Sequence, residues 1–419
     1  MKSNYRRIGD FIELVDVRNK DLMVTKLLGL SISKEFIPSV ANIIGTNMAK
    51  YKIIKKNQFA CSIMQVRRDK KMPIALLKEF DEAIISQAYP VFEVINTDEL
   101  LPDYLMMWFS RSEFDRHACF LAVGGVRGSL EWEDFLDMEL PVPSIEKQQE
   151  IVIEYNTIVN RIKLNEELNQ KLEETAHTLY KHWFVDFEFP NAEGKPYKSS
   201  GGTMEFNEEL DIDIPEGWKI GKLDDVLELI IDHRGKTPLK MGSSWSDFGY
   251  PAISAKNIKG GKIVQPNTVR YVDEELFQRW MKSPLQIGDV IMTSEAPMGE
   301  LFYVAKKDDY LLSQRLYGLR SKKDRCSGSY LYYWLKSDIA LHDMYGRATG
   351  TTVQGIKQSE LREVSILMPL NKIINFFDLI SHQLFERSEL TFLQNTKLVE
   401  LKVLILSKIS KVETKTTLV

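Results

Sequence analysis

Hydrophobic positions along the chain follow two periods, which predict two kinds of element. Short runs of β-branched and aromatic residues, broken by glycine and proline, predict strands, as in Tyr89–Ile95 (YPVFEVI) and Asp289–Thr293 (DVIMT). Two other stretches contain no glycine or proline and run from about Ile145 to Trp183 and from about Asn371 to Ser410. Their apolar spacing predicts two helices, each of roughly 40 residues.

Both predicted helices carry a coiled-coil seam. In the second helix the predicted seam keeps a strict heptad through Phe377, Ile380, Leu384, Arg387, Thr391, Gln394, Leu398, Leu401, Ile405 and Lys408. In the first helix it slips by three residues midway, through Ile151, Tyr155, Ile158, Ile162, Asn165, Leu168, Leu172, Thr175 and Leu179. Because such a seam needs a partner, each helix is expected to pack on the other. The alternative is two separate amphipathic surface helices.

The chain repeats itself at an offset of 226 residues. Tyr104–Phe109 (YLMMWF) aligns with Tyr330–Leu335 (YLYYWL), and Leu140–Pro143 aligns with Ile366–Pro369. The same offset continues into the two helices. The sequence therefore predicts one unit written twice, each copy having a mixed α/β part followed by a long helix.

Positive charge is concentrated in two windows on an acidic background. The whole chain has 55 Lys+Arg and 59 Asp+Glu, a net charge of −4. Lys50–Lys78 holds nine basic residues and one acidic residue, and His233–Arg270 holds seven and one. The rest of the chain has 39 basic and 57 acidic residues. One basic window falls in each copy, which indicates two equivalent surfaces for a polyanion; two solvated loops are the alternative.

Several other classes of protein are disfavoured. No run of 18 apolar residues predicts a membrane span, and residues 1–10 have no apolar core typical of a secretory signal. Three separated cysteines give no disulfide framework or zinc pattern and fit a reducing cytoplasm. His177 and His182 are five residues apart and do not share a helix face, so no metal site is predicted.

Sequence motifs identify a resemblance to a known family. They are Pro141–Gln148 (PVPSIEKQ), Leu179–Pro190 (LYKHWFVDFEFP), Pro215–Lys219 (PEGWK), Arg234–Pro238 (RGKTP), Tyr250–Ile258 (YPAISAKNI) and Gly288–Gly299 (GDVIMTSEAPMG). In this order and on a duplicated frame, they resemble the specificity subunit of type I restriction–modification enzymes over residues 1–412. One departure is that Leu370–Ile373 (LNKI) stands where the first copy has its glutamine-containing helix entry.

The resemblance implies an α+β fold with two target-recognition domains separated by two long antiparallel coiled-coil helices, a pseudo-two-fold internal repeat. The predicted division is the first recognition domain at 1–144, first spacer helix at 145–186, partly mobile linker at 187–214, second recognition domain at 215–370, second spacer helix at 371–412 and tail at 413–419. The expected partners are double-stranded DNA, two modification (methyltransferase) subunits and restriction (motor–nuclease) subunits. S-adenosylmethionine, ATP and Mg²⁺ are expected on those partners, with no cofactor in this chain.

DNA contacts are expected from the two basic windows and neighbouring loops, since Lys and Arg neutralise phosphates and forked groups read base edges. Candidates in the first copy are Lys52, Lys55, Lys56, Arg67, Arg68, Lys70, Lys71 and Arg127. Candidates in the second copy are Arg234, Lys236, Lys256, Asn257, Lys259, Lys262, Arg315 and Arg347. For each of these residues, a phosphate contact or no contact is the alternative to base reading.

A cluster of aromatic residues is predicted to bind a partner subunit or pack on the helices: Trp183, Phe184, Phe187 and Phe189. No Walker A motif, glycine-rich cofactor fingerprint or amino-methyltransferase motif is present. No catalytic residue is therefore assigned. The predicted function is a non-catalytic, sequence-specific DNA-binding subunit in the cytoplasm. A self-contained DNA methyltransferase and a free-standing DNA-binding regulator are the alternatives.

Overall fold

The computed structural model describes residues 5–39, 46–124, 128–350 and 352–410. The chain forms two compact units. Unit 1 comprises Met1–Leu164 and Asn395–Val419, and unit 2 comprises Asn165–Gln394. The division differs from the predicted domain limits, because it passes through the middle of both long helices and assigns the predicted linker to unit 2.

Unit 1 consists of short strands and helices followed by half of a long helix. Its strands are β1 (Tyr5–Arg7), β2 (Ile12–Val15), β3 (Leu28–Leu30), β4 (Phe36–Pro38), β5 (Lys52–Lys55), β6 (Phe59–Cys61), β7 (Ile74–Leu76), β8 (Glu82–Ile85), β9 (Val91–Val94) and β10 (Glu139–Pro141). Its helices are α1 (Val66–Asp69), α2 (Pro102–Phe109), α3 (Ser112–Leu121), α4 (Trp132–Asp137), the first half of α5 (Ile145–Phe184) and the last part of α11 (Asn371–Ile409).

Unit 2 follows the same plan with a β-hairpin in front. Its strands are β11 (Met204–Asn207), β12 (Ile212–Pro215), β13 (Lys219–Lys222), β14 (Leu227–Asp232), β15 (Tyr250–Ile253), β16 (Ile258–Lys259), β17 (Lys262–Ile263), β18 (Arg270–Val272), β19 (Val290–Thr293), β20 (Leu301–Tyr303), β21 (Leu311–Leu312), β22 (Leu316–Ser321) and β23 (Ser365–Met368). Its helices are the second half of α5, α6 (Leu223–Val226), α7 (Glu274–Trp280), α8 (Gly328–Leu335), α9 (Asp338–Arg347), α10 (Gln358–Arg362) and the first part of α11 (Asn371–Ile409).

The repeat predicted from the sequence is confirmed by the sheet topology. Unit 1 has a four-stranded antiparallel sheet in the order β2-β9-β6-β7, and unit 2 has one in the order β14-β22-β19-β20. In each unit a separate pair joins the first strand of the repeat to the strand before the long helix, β1 with β10 and β13 with β23. Each strand of one sheet thus has a counterpart in the other.

One buried hydrogen bond recurs at the same repeat position. The Tyr104 hydroxyl donates to the Pro141 carbonyl at 3.1 Å, and the Tyr330 hydroxyl donates to the Leu367 carbonyl at 2.6 Å. The donor and the acceptor of the second bond each lie 226 residues after those of the first bond. A buried hydroxyl needs such a partner, so the bond fixes α2 and α8 against the strands that precede the long helices.

The two long helices pair antiparallel. In unit 1, Ile151 of α5 shares a core cluster with Ile405 and Ile409 of α11. In unit 2, Phe184 near the end of α5 lies 5.1 Å from Phe377 near the start of α11, measured between ring centroids. The mutual pairing expected for the seams is therefore present, rather than two separate surface helices.

The predicted seam of α11 is wrong at alternate positions, and that of α5 is wrong at Leu168 and Thr175. The positions of α11 that are buried or half-buried at heptad spacing are Phe377, Ser381, Leu384, Ser388, Thr391, Asn395, Leu398, Lys402, Ile405 and Ile409. Those of α5 continue without a slip through Tyr155, Ile158, Ile162, Asn165, Asn169, Leu172, Ala176, Leu179 and Trp183. Small or polar residues such as Ser381, Ser388 and Asn395 occupy most of the positions that the prediction missed, whereas the sequence pattern favoured larger apolar neighbours such as Leu401, which is 48% exposed.

Polar groups at mid-seam hydrogen-bond between the helices. The Asn165 side-chain amide donates to the Gln394 amide oxygen at 2.9 Å in unit 2. The Asn395 amide donates to the Ile162 carbonyl at 3.2 Å in unit 1. Sliding one helix along the other would break both bonds, so these residues fix the register of the pair.

The aromatic cluster forms part of the unit 2 core together with Phe377 of α11, so the predicted packing on the helices is confirmed and the cluster is not an exposed partner-binding surface. Trp183, Phe184, Phe187 and Phe189 are each at most 5% exposed. The ring of Trp218 lies 5.9, 5.7 and 5.1 Å from those of Phe184, Phe187 and Phe189, respectively. The chain after α5 is thereby tied to unit 2, and the hairpin β11–β12 continues this ordered path. The segment predicted as a linker, 187–214, thus contains β11 and most of β12 and falls within unit 2.

Replacing Phe184 with alanine should lower the free energy of unfolding of unit 2 by about 3–5 kcal/mol, because a buried aromatic side chain is removed from a packed core. Val185→Ala is the matched control, since Val185 is 51% exposed and adjacent in sequence. Denaturant unfolding followed by tryptophan fluorescence measures both. Equal stability of the two variants would contradict the assignment of Phe184 to the core.

Candidate nucleic-acid interface

Unit 2 contains a cavity of about 320 Å³ with a strongly basic lining. We call it the cationic cleft and define it by Lys236, Lys256, Arg270 and Arg315. The remaining lining side chains are aromatic, hydroxyl or amide groups and alanines: Thr237, Trp245, Ser254, Ala255, Trp280, Ala296, Ser313 and Gln314. The cleft brings together three predicted DNA-binding residues that are up to 79 positions apart in the sequence.

Three of the four cleft cations are held by different contacts. The Arg270 guanidinium lies 4.1 Å above the centroid of the Trp245 ring. The Lys236 ammonium donates to the Trp280 carbonyl at 3.3 Å. Arg315 lies 2.8 Å from a carboxylate oxygen of Glu295, and its side chain remains 55% exposed. The cleft is therefore a preorganised positive surface that is still open to an anion.

Neighbouring side chains modify this charge. Burial, with Lys236 nearby, lowers the pKa of His233 to about 4, so His233 is neutral at pH 7 and adds no positive charge. Arg234 binds the Asp232 carboxylate through two nitrogen atoms and lies 5.0 Å above the Tyr317 ring. Its charge is thus partly neutralised within the protein.

Other unit 2 candidates have different environments. Lys256, Lys259 and Lys262 are exposed around β16 and β17. Arg347 is partly buried at the end of α9, where its Nε lies 2.6 Å from an Asp343 carboxylate oxygen. The three lysines are available to a phosphate, whereas Arg347 first has to leave an existing ion pair.

The prediction that Asn257 binds DNA is wrong. It is 1% exposed. Its amide oxygen accepts from the Ser254 backbone N–H at 3.1 Å, and its amide nitrogen donates to the Thr268 hydroxyl at 3.0 Å. This side chain closes the turn between β15 and β16, so it is not available to a base.

The basic window of unit 1 lies mostly on exposed turns. Lys55 ends β5, and Lys56 follows it at 4.0 Å from Asp81. Lys70 and Lys71 are exposed immediately after α1. These four ammonium groups form the open part of the unit 1 surface.

The two arginines of α1 make local contacts. Arg67 donates to the Gly124 carbonyl at 3.0 Å, and Arg68 pairs with its neighbour Asp69 at 2.7 Å. The pairing raises the pKa of Arg68 and lowers the pKa of Asp69, mainly through the hydrogen bond between them. Both guanidinium groups are exposed at the same turn as Lys70. Arg127 lies outside the described residues.

The prediction that Lys52 binds DNA is wrong as well. Its side chain is 11% exposed and its ammonium donates to the Tyr89 carbonyl at 3.0 Å, with Asp16 at 3.8 Å. Burial lowers the pKa of Lys52, and the Asp16 carboxylate opposes that change. The Lys52 side chain thus connects β5 to the segments just before β9 and just after β2, so it is not part of the exposed basic surface.

Sequence reasoning missed Arg270, Trp245 and Trp280 of the cleft. Arg270 was counted within the basic window, but its stacking on Trp245 depends on β18 pairing beside β15. Trp280 ends α7 and is 1% exposed. The sequence places Trp245 within the basic window and Trp280 ten residues after it, which does not by itself indicate a shared cavity.

One protein-family model matches the chain twice, in keeping with the duplicated architecture. The model for the type I restriction modification DNA specificity domain matches residues 2–174 and again residues 215–408. The chain belongs to this family. The two matches fall on the two copies of the internal repeat, so the resemblance inferred from the motifs is confirmed.

Individual relatives are distant in sequence. The chain is 22% identical to the type I restriction enzyme HindI specificity subunit of Haemophilus influenzae, over 94% of this chain and 93% of that protein. It is also 22% identical to the MjaIX specificity subunit of Methanocaldococcus jannaschii, over 70% of this chain and 65% of the relative's length. The crystal structure of the type I restriction-modification S subunit of M. genitalium has a TM-score of 0.62 and 13% identity, covering 98% and 96% of the two chains. That likeness confirms the fold.

Proposed function

We propose that this chain is the DNA-recognition subunit of a type I restriction–modification complex and that each unit reads one half of a split, asymmetric target. The observation that supports this most directly is the duplication: two units of the same topology each carry a basic surface on an otherwise acidic chain. Two equivalent readers are what a target in two parts requires.

The recognition chemistry follows from the residues at these surfaces. Exposed lysines such as Lys55, Lys56, Lys256 and Lys259 neutralise phosphates and supply affinity without sequence information. In unit 2, Arg315 and the neighbouring Gln314 offer forked or bifunctional groups that suit base edges. Arg315 gives up its contact with Glu295 when it binds DNA. A base acceptor at hydrogen-bond distance replaces that contact better than water does.

The proposed complex assigns catalysis to other chains. Two modification subunits dock on this chain and methylate an adenine in each half-target, and restriction subunits join them to cleave unmodified DNA. S-adenosylmethionine, ATP and Mg²⁺ bind those partners. Among the residues that the structure describes, no group of three or more His, Cys, Asp or Glu side chains is placed to hold a metal ion, and no helix there is long and apolar enough to cross a membrane. We place the complex in the cytoplasm.

Exchange of one unit tests the two-reader proposal. Replacing residues 1–140 with the matching part of a homologue should change one half of the methylated sequence and leave the other half unchanged, because the cleft residues of unit 2 are retained. Methylome sequencing of a host that expresses the chimaera with its modification subunit reads both halves at once. Both halves changing, or neither, would contradict separate readers. Methyl transfer by this chain alone would show that it is an enzyme instead.

A further inference from the structure

The loop between β14 and β15 of unit 2 exposes two large apolar side chains. Leu239 is 85% exposed and Phe248 is 80% exposed. The same loop carries Arg234, Lys236 and Lys240. Apolar side chains displayed at this level are typical of interaction sites, and their basic neighbours favour a partner that combines apolar surface with negative charge.

The loop is fixed next to Phe248. The Ser246 backbone N–H donates to the Tyr271 carbonyl at 2.9 Å. Gly249 has a φ of +120°, and a Cβ there would lie 2.4 Å from the Val272 carbonyl oxygen, so no other residue fits this turn. Trp245 of the same loop lines the cationic cleft. Phe248 is therefore presented to solvent by an ordered turn beside the basic surface.

Unit 1 has the same feature at the equivalent place. The strands β2 and β14 occupy the same edge position in the two four-stranded sheets. The loop after β2 exposes Leu22 by 53% and Met23 by 78%. Lysines flank this tip as well, at Lys20 and Lys26. An aspartate also lies beside each tip, Asp21 in unit 1 and Asp247 in unit 2, but basic residues outnumber acidic ones in both loops. Two loops of unrelated sequence thus share exposed apolar side chains in a net basic segment.

The unit 1 tip is also held in place. Asn19 is 1% exposed, and its side-chain amide donates to the Val24 carbonyl at 2.8 Å. The Leu22 backbone N–H donates to the Asn19 carbonyl at 3.1 Å, and Leu22 has a φ of 58°, which is unusual for a branched residue. The protein therefore maintains an exposed apolar tip that local backbone preference does not favour.

DNA matches this combination of surfaces. The faces of stacked bases are apolar and are bordered by phosphates, and proteins that bend DNA insert Phe, Leu or Met side chains between base steps. We propose that Phe248 and Met23 each insert as an apolar wedge between neighbouring base pairs, one in each half-target, while the flanking cations hold the adjacent phosphates. This inference rests on the proposed DNA-reading function and adds a mode of recognition to it.

The wedges contribute sequence selectivity without hydrogen bonds. Opening a base step costs least at flexible pyrimidine–purine steps, so the step that receives each wedge is selected by its deformability. Each half-target should therefore contain a preferred flexible step at a position where no side chain contacts a base edge.

The test compares Phe248→Ala and Met23→Ala in the assembled methyltransferase complex on fluorescently end-labelled target DNA. Each change should reduce the bend measured by energy transfer by roughly 20° or more and weaken specific binding about tenfold, because a large apolar contact is lost. Phe248→Leu should retain most of the bend. Phe120→Ala is the matched control, since Phe120 is 82% exposed but lies on α3 rather than on a wedge loop.

A second measurement separates the outcomes. A nick at the wedged step lowers the cost of unstacking, which wild type pays and the less bent Phe248→Ala complex does not, so it should widen the affinity difference between the two proteins. Unchanged bend and affinity in both alanine variants, with assembly intact, would overturn the wedges. Loss of assembly with the modification subunits in both alanine variants would identify a protein contact and overturn them too. Absence of sequence-specific binding by the wild-type complex would instead refute the proposed function itself.

Discussion

Charge reversal at Lys256 and Lys259 should weaken DNA binding by the assembled methyltransferase on the order of 100-fold near 0.1 M salt. Each phosphate contact contributes a slope of about 0.9 to the dependence of log affinity on log salt, so losing two should flatten that slope by about 1.8. Lys55→Glu with Lys56→Glu should have a similar effect through unit 1. Fluorescence anisotropy titrations at several salt concentrations measure both quantities.

The control has the same change of net charge outside the basic windows. Lys195→Glu with Lys397→Glu reverses two exposed lysines whose side chains are 64% and 75% exposed. This variant should keep the wild-type slope. If the two basic-window variants also kept it while the complex assembled normally, DNA would have to bind another surface.

Lengthening both long helices should change the spacing of the target. Fourteen residues inserted between Leu164 and Asn165, and fourteen between Gln394 and Asn395, add two heptads where the helices are paired through Asn165 and Gln394. Each helix becomes about 21 Å longer. At about 3.4 Å per base pair, the two half-sequences should remain the same and the unread spacer should grow by roughly six base pairs.

Insertion into only one helix is the matched control. It shifts Asn165 and Gln394 out of register and leaves one seam unpaired over two heptads, so methylation should be lost. Methylome sequencing gives the spacer length directly. A doubly lengthened, active protein that still methylates only the original spacing would show that the helices do not set it.

The duplication and the long helices were predictable because they depend on patterns that tertiary structure does not alter. The offset of 226 residues survives in the Tyr104 and Tyr330 hydrogen bonds, and the strands predicted near Tyr89 and Asp289 are present as β9 and β19. Period and repetition are properties of the chain, so a single sequence is enough to detect them.

The seam and the site were less predictable because both depend on neighbours in space. Ser381 is fully buried and Ala176 is 2% exposed, since small side chains allow the helices to approach closely. Hydrophobicity alone ranks such residues below Leu401, which faces solvent. Similarly, Lys52 and Asn257 are of residue types that often contact DNA, but both side chains are directed into the protein. Lys52 donates to the Tyr89 carbonyl, and Asn257 accepts from the Ser254 backbone within its turn. Burial of polar groups by satisfied hydrogen bonds is not visible in composition.

The division of the chain between the units has a consequence for biosynthesis. Unit 2 is one continuous stretch, Asn165–Gln394, whereas unit 1 also requires Asn395–Val419. Its core includes Ile405, Leu406 and Ile409, each at most 8% exposed. Because domains fold as they leave the ribosome, the amino-terminal unit is translated first but completed last. Until the end of α11 leaves the ribosome, the apolar core of unit 1 that this helix covers remains exposed to solvent. A nascent chain at this stage exposes the kind of surface that chaperones bind.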